Sequence, residues 1–151
     1  MNTKNNKRHQ ETMDNINKAF ITLLQDKRLS EITVSDICKV ADINRSTFYE
    51  KYDDVSTLAD AYAKEIEKQI AEQPHTKGEF AWLFEYTKAN ANMFNLYFKL
   101  GISNGGGEYK TIFFKNGVYS VLKMWLEGGC VESVEQMNQI IKREYDKVFN
   151  S

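Results

Sequence analysis

The chain has 151 residues, 42% of them hydrophobic, and a single proline, which suits one or two small all-helical domains with a real core. Twenty Lys and Arg stand against 21 Asp and Glu, so the strongly basic balance of a dedicated nucleic-acid domain is absent, and phosphate binding would depend on where charges point. The polar first thirty residues lack a signal-type apolar segment and no run of about 18 apolar residues occurs, so a soluble, cytoplasmic protein without membrane contact is expected.

In chain order, the leading segment carries Lys4, Lys7, Arg8 and His9 with no acid before Glu11. Two readings stand open: an arm along a phosphate backbone or minor groove, and a solvated tail. A first helix is predicted over His9–Asp26, where Met13, Ile16, Phe20, Leu23 and Leu24 form one stripe. After the connection Lys27–Ile32, Thr33 followed by Asp36 forms a capping pattern for a helix with Val34, Ile37, Val40 and Ala41 on its apolar face. Ala41-Asp42-Ile43 is a turn, with Asp42 where a short polar side chain tolerates a left-handed backbone. Asn44 can cap a second helix that exposes Arg45, Ser46, Thr47 and Tyr49 and turns Phe48 inward. Within Thr33–Tyr52 the cations Lys39, Arg45 and Lys51 balance Asp36, Asp42 and Glu50. Asp54 is a candidate cap for an amphipathic helix over Val55–Ala71, and Gln73–Gly78 is the obvious boundary. An aromatic-rich helix is predicted from Glu79 to about Leu100, then a break at Asn104-Gly105-Gly106-Gly107. Tyr109–Glu127 is the next helix, stopped by Gly128-Gly129, and Ser133 caps the last, making about seven in all.

A compact helix pair whose second member opens with small polar and basic side chains is the shape that enters the DNA major groove: a helix-turn-helix. At these residues the chain resembles the tetracycline-repressor (TetR/AcrR) family of bacterial regulators. The matching positions are Thr33, Val34, Ile37, Ala41, Ile43, Ser46, Thr47, Phe48, Tyr49, Tyr52 and Leu58, within about the first 65 residues. Asp42 replaces the family's turn glycine, and Val55 replaces a lysine often found at the start of the fourth helix, which removes one phosphate contact. The resemblance implies an all-α protein with a three-helix N-terminal head, residues 1–54, joined by a linking helix to a small helical regulatory and dimerisation domain, residues 55–151. It implies a homodimer that reads a near-palindromic double-stranded DNA operator, most simply as a repressor.

Arg45 is the candidate for reading a guanine edge, since its fork matches O6 and N7. Ser46 and Thr47 would meet bases or a thymine methyl; Thr33, Ser35, Tyr49 and Lys51 would hold phosphates, as the matching family positions do. The family's last two helices form a four-helix bundle with a second subunit, which marks Phe114, Val118, Val121, Trp125, Ile141 and Tyr145 as dimer-interface candidates; packing inside one chain is the other reading. Trp82, Tyr86, Phe94, Tyr97 and Phe98 either line a cavity for a small-molecule effector or form ordinary core. The body is short for the family, so a protein effector is a further option.

Enzymatic chemistry finds no support in the sequence. His9 and His75 are the two histidines, Cys38 and Cys130 read as free thiols, and no metal-ligand or nucleophile-elbow spacing occurs. Gly105–Gly107 lacks the Lys-Ser/Thr of a phosphate-binding loop, and no cofactor is expected. The competing function is a TetR-like protein-interaction module with weak or no operator binding, favoured by the near-neutral charge and by Val55.

Overall fold

Side-chain oxygens set three of the helix starts among the described residues. The computed structural model describes residues 3–74, 79–101 and 109–150; among them the regular structure is eight α-helices and one short 3₁₀ turn, with no strand. The helices are α1 (Thr3–Asp26), α2 (Val34–Ala41), α3 (Arg45–Tyr49), α4 (Val55–Ala71), α5 (Ala81–Ala89), α6 (Ala91–Leu100), α7 (Tyr109–Glu127) and α8 (Val134–Phe149); the 3₁₀ turn is Leu29–Glu31. Thr33 Oγ1 accepts the Asp36 N–H at 3.1 Å while Asp36 Oδ2 accepts the Thr33 N–H at 3.2 Å, a reciprocal box that starts α2. Ser133 and Gln136 do the same for α8. Asp54 Oδ1 accepts the Thr57 N–H at 2.7 Å and opens α4. At the other end of α7, Gly129 takes a φ of 80°, and Cys130 follows with 54° and donates its N–H to the Trp125 carbonyl at 2.8 Å.

The chain divides into two compact units, Met1–Glu65 and Ile66–Ser151. In the first, α1, α2, α3 and the start of α4 enclose Ile16, Phe20, Leu24, Ile37, Phe48 and Leu58, all without solvent exposure. Phe20 meets the Tyr62 ring edge-on at 6.1 Å, and Lys27 reaches Asp36 at 3.2 Å, tying the end of α1 to the first turn of α2. In the second unit, α5, α6, α7 and α8 close over Phe84, Phe94, Tyr97 and Leu122, with Trp125, Met137 and Ile141 nearly as deep. Phe84 stands edge-on to Trp125 at 5.2 Å. A second aromatic group, Phe80, Phe114, Tyr145 and Phe149, packs at centroid separations from 4.8 to 5.7 Å. The buried Asn138 joins α8 to the start of α5: its Oδ1 accepts the Phe80 N–H at 2.7 Å, and its Nδ2 donates to Glu79, which also pairs with Lys142. That bond satisfies a backbone donor ahead of α5 that the helix itself leaves unpaired.

Three elements differ from the sequence reading. The first helix begins at Thr3 rather than His9; no glycine or proline precedes it, Lys7 sits 4.0 Å from Glu11 one turn on, and extending a helix is easier than nucleating one. The aromatic segment is two helices, so eight replace the expected seven. Asn90 breaks it with φ −118° and ψ 37°, its side-chain amide donating to the Tyr86 carbonyl at 2.9 Å in competition with the ladder. Val40, expected on the apolar face of α2, is 49% exposed, while Cys38 is buried as expected. At 100° per residue Val40 lies about 60° beyond Ile37, past the edge of the arc that Ile37, Ala41, Val34 and Cys38 span. The expected boundary from His75 to Gly78, the break at Asn104–Gly107 and the side chain of Lys4 lie outside the described residues. No helix among the described residues is long and apolar enough to cross a membrane.

Candidate functional site

The local geometry that matters is the reversal between α2 and α3. Asp42 adopts φ 52° and ψ 52°, a left-handed conformation that a short carboxylate side chain tolerates. The Asp42 and Ile43 N–H groups both reach the Cys38 carbonyl, so the chain turns within Asp42–Asn44. Asn44 holds the cap position, its carbonyl accepting the N–H of Thr47 at 3.1 Å and of Phe48 at 3.3 Å; its side chain makes no cap bond. The five residues of α3 would not persist alone. They are held by Phe48, fully buried, with the rings of Tyr49 and Tyr52 at 5.7 and 5.8 Å.

With Phe48 turned in, helical periodicity turns Arg45, Ser46 and Tyr49 out: all three are exposed, Tyr49 by 53%. Thr47 is half-buried, as is Lys51 just past α3. Thr33 and Ser35 are exposed at the start of α2. Lys51 Nζ lies within hydrogen-bond distance of His9 Nε2, which brings the basic stretch of α1 beside the end of α3. Nothing in the sequence signals that meeting, since the two residues are 42 apart. Asp36 is engaged by Lys27 and by the Thr33 N–H, and those hydrogen bonds, the backbone one foremost, hold its carboxyl below the usual range. Of the segment's charges this leaves Lys39, Arg45 and Lys51 against the exposed Asp42 and Glu50. Burial pushes the Cys38 thiol up, and the charge of Arg45 opposes it.

The second unit distributes the other named residues differently. Phe94 and Tyr97 are fully buried, and Tyr86 and Phe98 flank Phe94 at 6.0 and 5.9 Å. Trp82 alone of the five effector candidates lines a cavity of about 450 Å³, whose walls include Ile70, Phe80, Leu83, Phe114 and Val118. Tyr97 stands one hydrogen bond behind it, donating its O–H at 2.7 Å to Glu67 Oε1, which also accepts Lys115 Nζ at 3.2 Å. Burial first, then the neighbouring Tyr119 and Glu67, raises the Tyr97 hydroxyl far above the usual range; burial and Glu67 push Tyr119 up to about 12. Among the dimer candidates, Val118, Trp125 and Ile141 are buried within the unit, while Phe114 and Tyr145 are half-buried in the aromatic group. Val121 is half-buried in a groove of about 440 Å³ with Met124, Val131 and Ile140. On α7, Phe113 is 75% exposed and Met124 72%, and the two share one helical stripe.

No protein-family model matches the chain, and no curated protein matches it significantly. The side chains themselves therefore carry the chemical reading. Among the described residues no group of three His, Cys, Asp or Glu is placed to hold a metal ion, and Cys38 and Cys130 are free thiols. His75 and Gly105–Gly107 lie outside the described residues. What the N-terminal unit presents is a short helix with a cation, a hydroxyl and a phenol facing outward, hydroxyls at the start of the preceding helix, and two basic groups beside its end.

Proposed function

We propose that this chain is a DNA-binding transcriptional regulator of the TetR/AcrR type, a homodimer that reads a near-palindromic operator with α3 as the recognition helix of a helix-turn-helix. The observation that carries the reading is the orientation of α3: Phe48 locks it inward, and Arg45, Ser46 and Tyr49 face solvent. An Arg fork facing outward suits a guanine edge, and Ser46 with Thr47 suits base contacts beside it. Thr33, Ser35, Tyr49 and Lys51 are hydroxyl, phenol and ammonium groups of the kind that hold phosphates and fix register. His9 beside Lys51 adds a further donor there.

Dimerisation follows from the same function, because one recognition helix covers only a few base pairs, and two about 34–36 Å apart read two half-sites. Its support is the α7 stripe of Phe113, Gly117, Val121 and Met124. Gly117 sits inside a helix with nothing within 4 Å of where a Cβ would stand, so packing within the chain does not require it. An interior glycine costs about 1 kcal/mol relative to alanine, and close approach of a second backbone is a use for it. Repression is the simpler sign, since a bound dimer obstructs polymerase by itself. The alternative, a protein-interaction module on the same scaffold, is favoured by the exposed Val40 on α2 and by the net charge of −1. Selection from a random duplex pool separates the two: the regulator enriches a two-fold-related site with half-site centres about 10 base pairs apart, and the interaction module enriches nothing.

A further inference from the structure

The cavity of about 450 Å³ in the second unit is an open one, with apolar walls and one polar spot. That spot is a held pair: Lys115 Nζ contacts Glu67 Oε1 at 3.2 Å and lies 5.6 Å from the centroid of the Tyr119 ring. The buried Tyr97 O–H fixes the same Glu67 oxygen from behind at 2.7 Å. Both charges remain partly open to the cavity, the Glu67 side chain 24% and the Lys115 side chain 34% exposed. An ion pair positioned by an O–H from the core and an aromatic face beside it is pre-organised, and it offers one acceptor and one donor side by side.

From this we infer that the cavity binds a small aromatic compound without net charge, whose polar head gives a hydrogen-bond donor to Glu67 and an acceptor to Lys115 while its ring lies against Trp82, Phe80 and Phe114. The pair disfavours ions of either sign. An anion drawn to Lys115 meets the Glu67 carboxylate beside it, and a cation drawn to Glu67 meets the Lys115 ammonium. Either one also gives up part of its hydration against the apolar walls. A neutral head such as a primary amide meets both partners with charge-assisted hydrogen bonds and loses far less hydration. The site lies wholly within residues 67–119, so it stands or falls separately from the DNA-binding reading.

Three compounds with one ring and three heads test it by isothermal titration against the full chain: indole-3-acetamide (neutral), indole-3-acetate (anion) and tryptamine (cation). The expected result is saturable binding of the acetamide at one site per chain, at least about tenfold tighter than either ion. Ala71→Trp, at an exposed position on the cavity lining, abolishes it. Glu67→Gln leaves a lone cation and moves the preference toward indole-3-acetate; Lys115→Met leaves a lone carboxylate and moves it toward tryptamine. Absence of saturable heat at millimolar acetamide overturns the inference. So does an ion that binds as tightly as the amide, or acetamide binding retained in Ala71→Trp.

Discussion

Phe48 is the residue on which the orientation of α3 depends, and its truncation gives the sharpest structural prediction. The side chain has no exposure and contacts the rings of Tyr49 and Tyr52. Phe48→Ala removes the transfer free energy of the ring and leaves a cavity, together about 3–5 kcal/mol. A unit the size of Met1–Glu65 has about 3–10 kcal/mol of stability to lose. The variant should therefore leave the first unit close to its unfolding midpoint, while Phe48→Leu, which keeps most of the volume, should cost about 1–1.5 kcal/mol. Hydrogen–deuterium exchange read by mass spectrometry resolves the units separately, which a global melting curve does not. Peptides covering Ile16–Ala63 should lose most of their protection in Phe48→Ala, and peptides covering Leu83–Ile141 should keep theirs. A loss of under about 1 kcal/mol in the first unit, or equal losses in both, would refute the claim that this ring holds α3 in place.

The remaining predictions concern separate elements. Thr33→Ala removes one half of the box that starts α2 and should lower stability by about 1 kcal/mol in urea titration. Asp36 is held below its ordinary range by the Thr33 hydrogen bonds and Lys27, so its contribution is present above about pH 4, the unfolded value. It is lost as pH falls through the lower folded value; the melting temperatures of wild type and Asp36→Asn should therefore differ at pH 7 and converge near pH 2. Phe113→Glu and Met124→Glu, at exposed positions, should change monomer stability by under about 0.5 kcal/mol yet weaken self-association at least about tenfold in sedimentation analysis. Unchanged association in both variants would remove the α7 stripe as the dimer face.

Much of the first unit was legible because its signals are local. Thr33 with Asp36 and Asp54 ahead of α4 each act within a few residues, through one side chain and one backbone group, and Asp42 acts through its own left-handed backbone. The break at Asn90 was not legible, since asparagine is tolerated inside helices and carries none of the force of glycine or proline. What decides it is an amide that bonds to the Tyr86 carbonyl once the aromatics on either side are packed. Val40 failed as a core residue because apolar character alone does not say how wide the buried arc of an eight-residue helix is. The polar spot of the second unit was beyond reach for a different reason. Tyr97 and Lys115 lie 30 and 48 residues from Glu67, whose carboxylate they share, and only tertiary packing joins them. Of the aromatic residues singled out as cavity lining, Phe94 and Tyr97 are core, and helical spacing could not distinguish them from Trp82.

The central claim is that the α2–α3 pair reads DNA sequence, and one titration addresses it most directly. Fluorescence anisotropy of the purified full chain on its own upstream DNA, with excess nonspecific competitor at two salt concentrations, should show saturable binding that weakens steeply with salt. Arg45→Ala should lose about 1–3 kcal/mol of discrimination between that site and a scrambled duplex. Binding that is abolished by competitor, or that is indifferent to Arg45→Ala, would contradict the account.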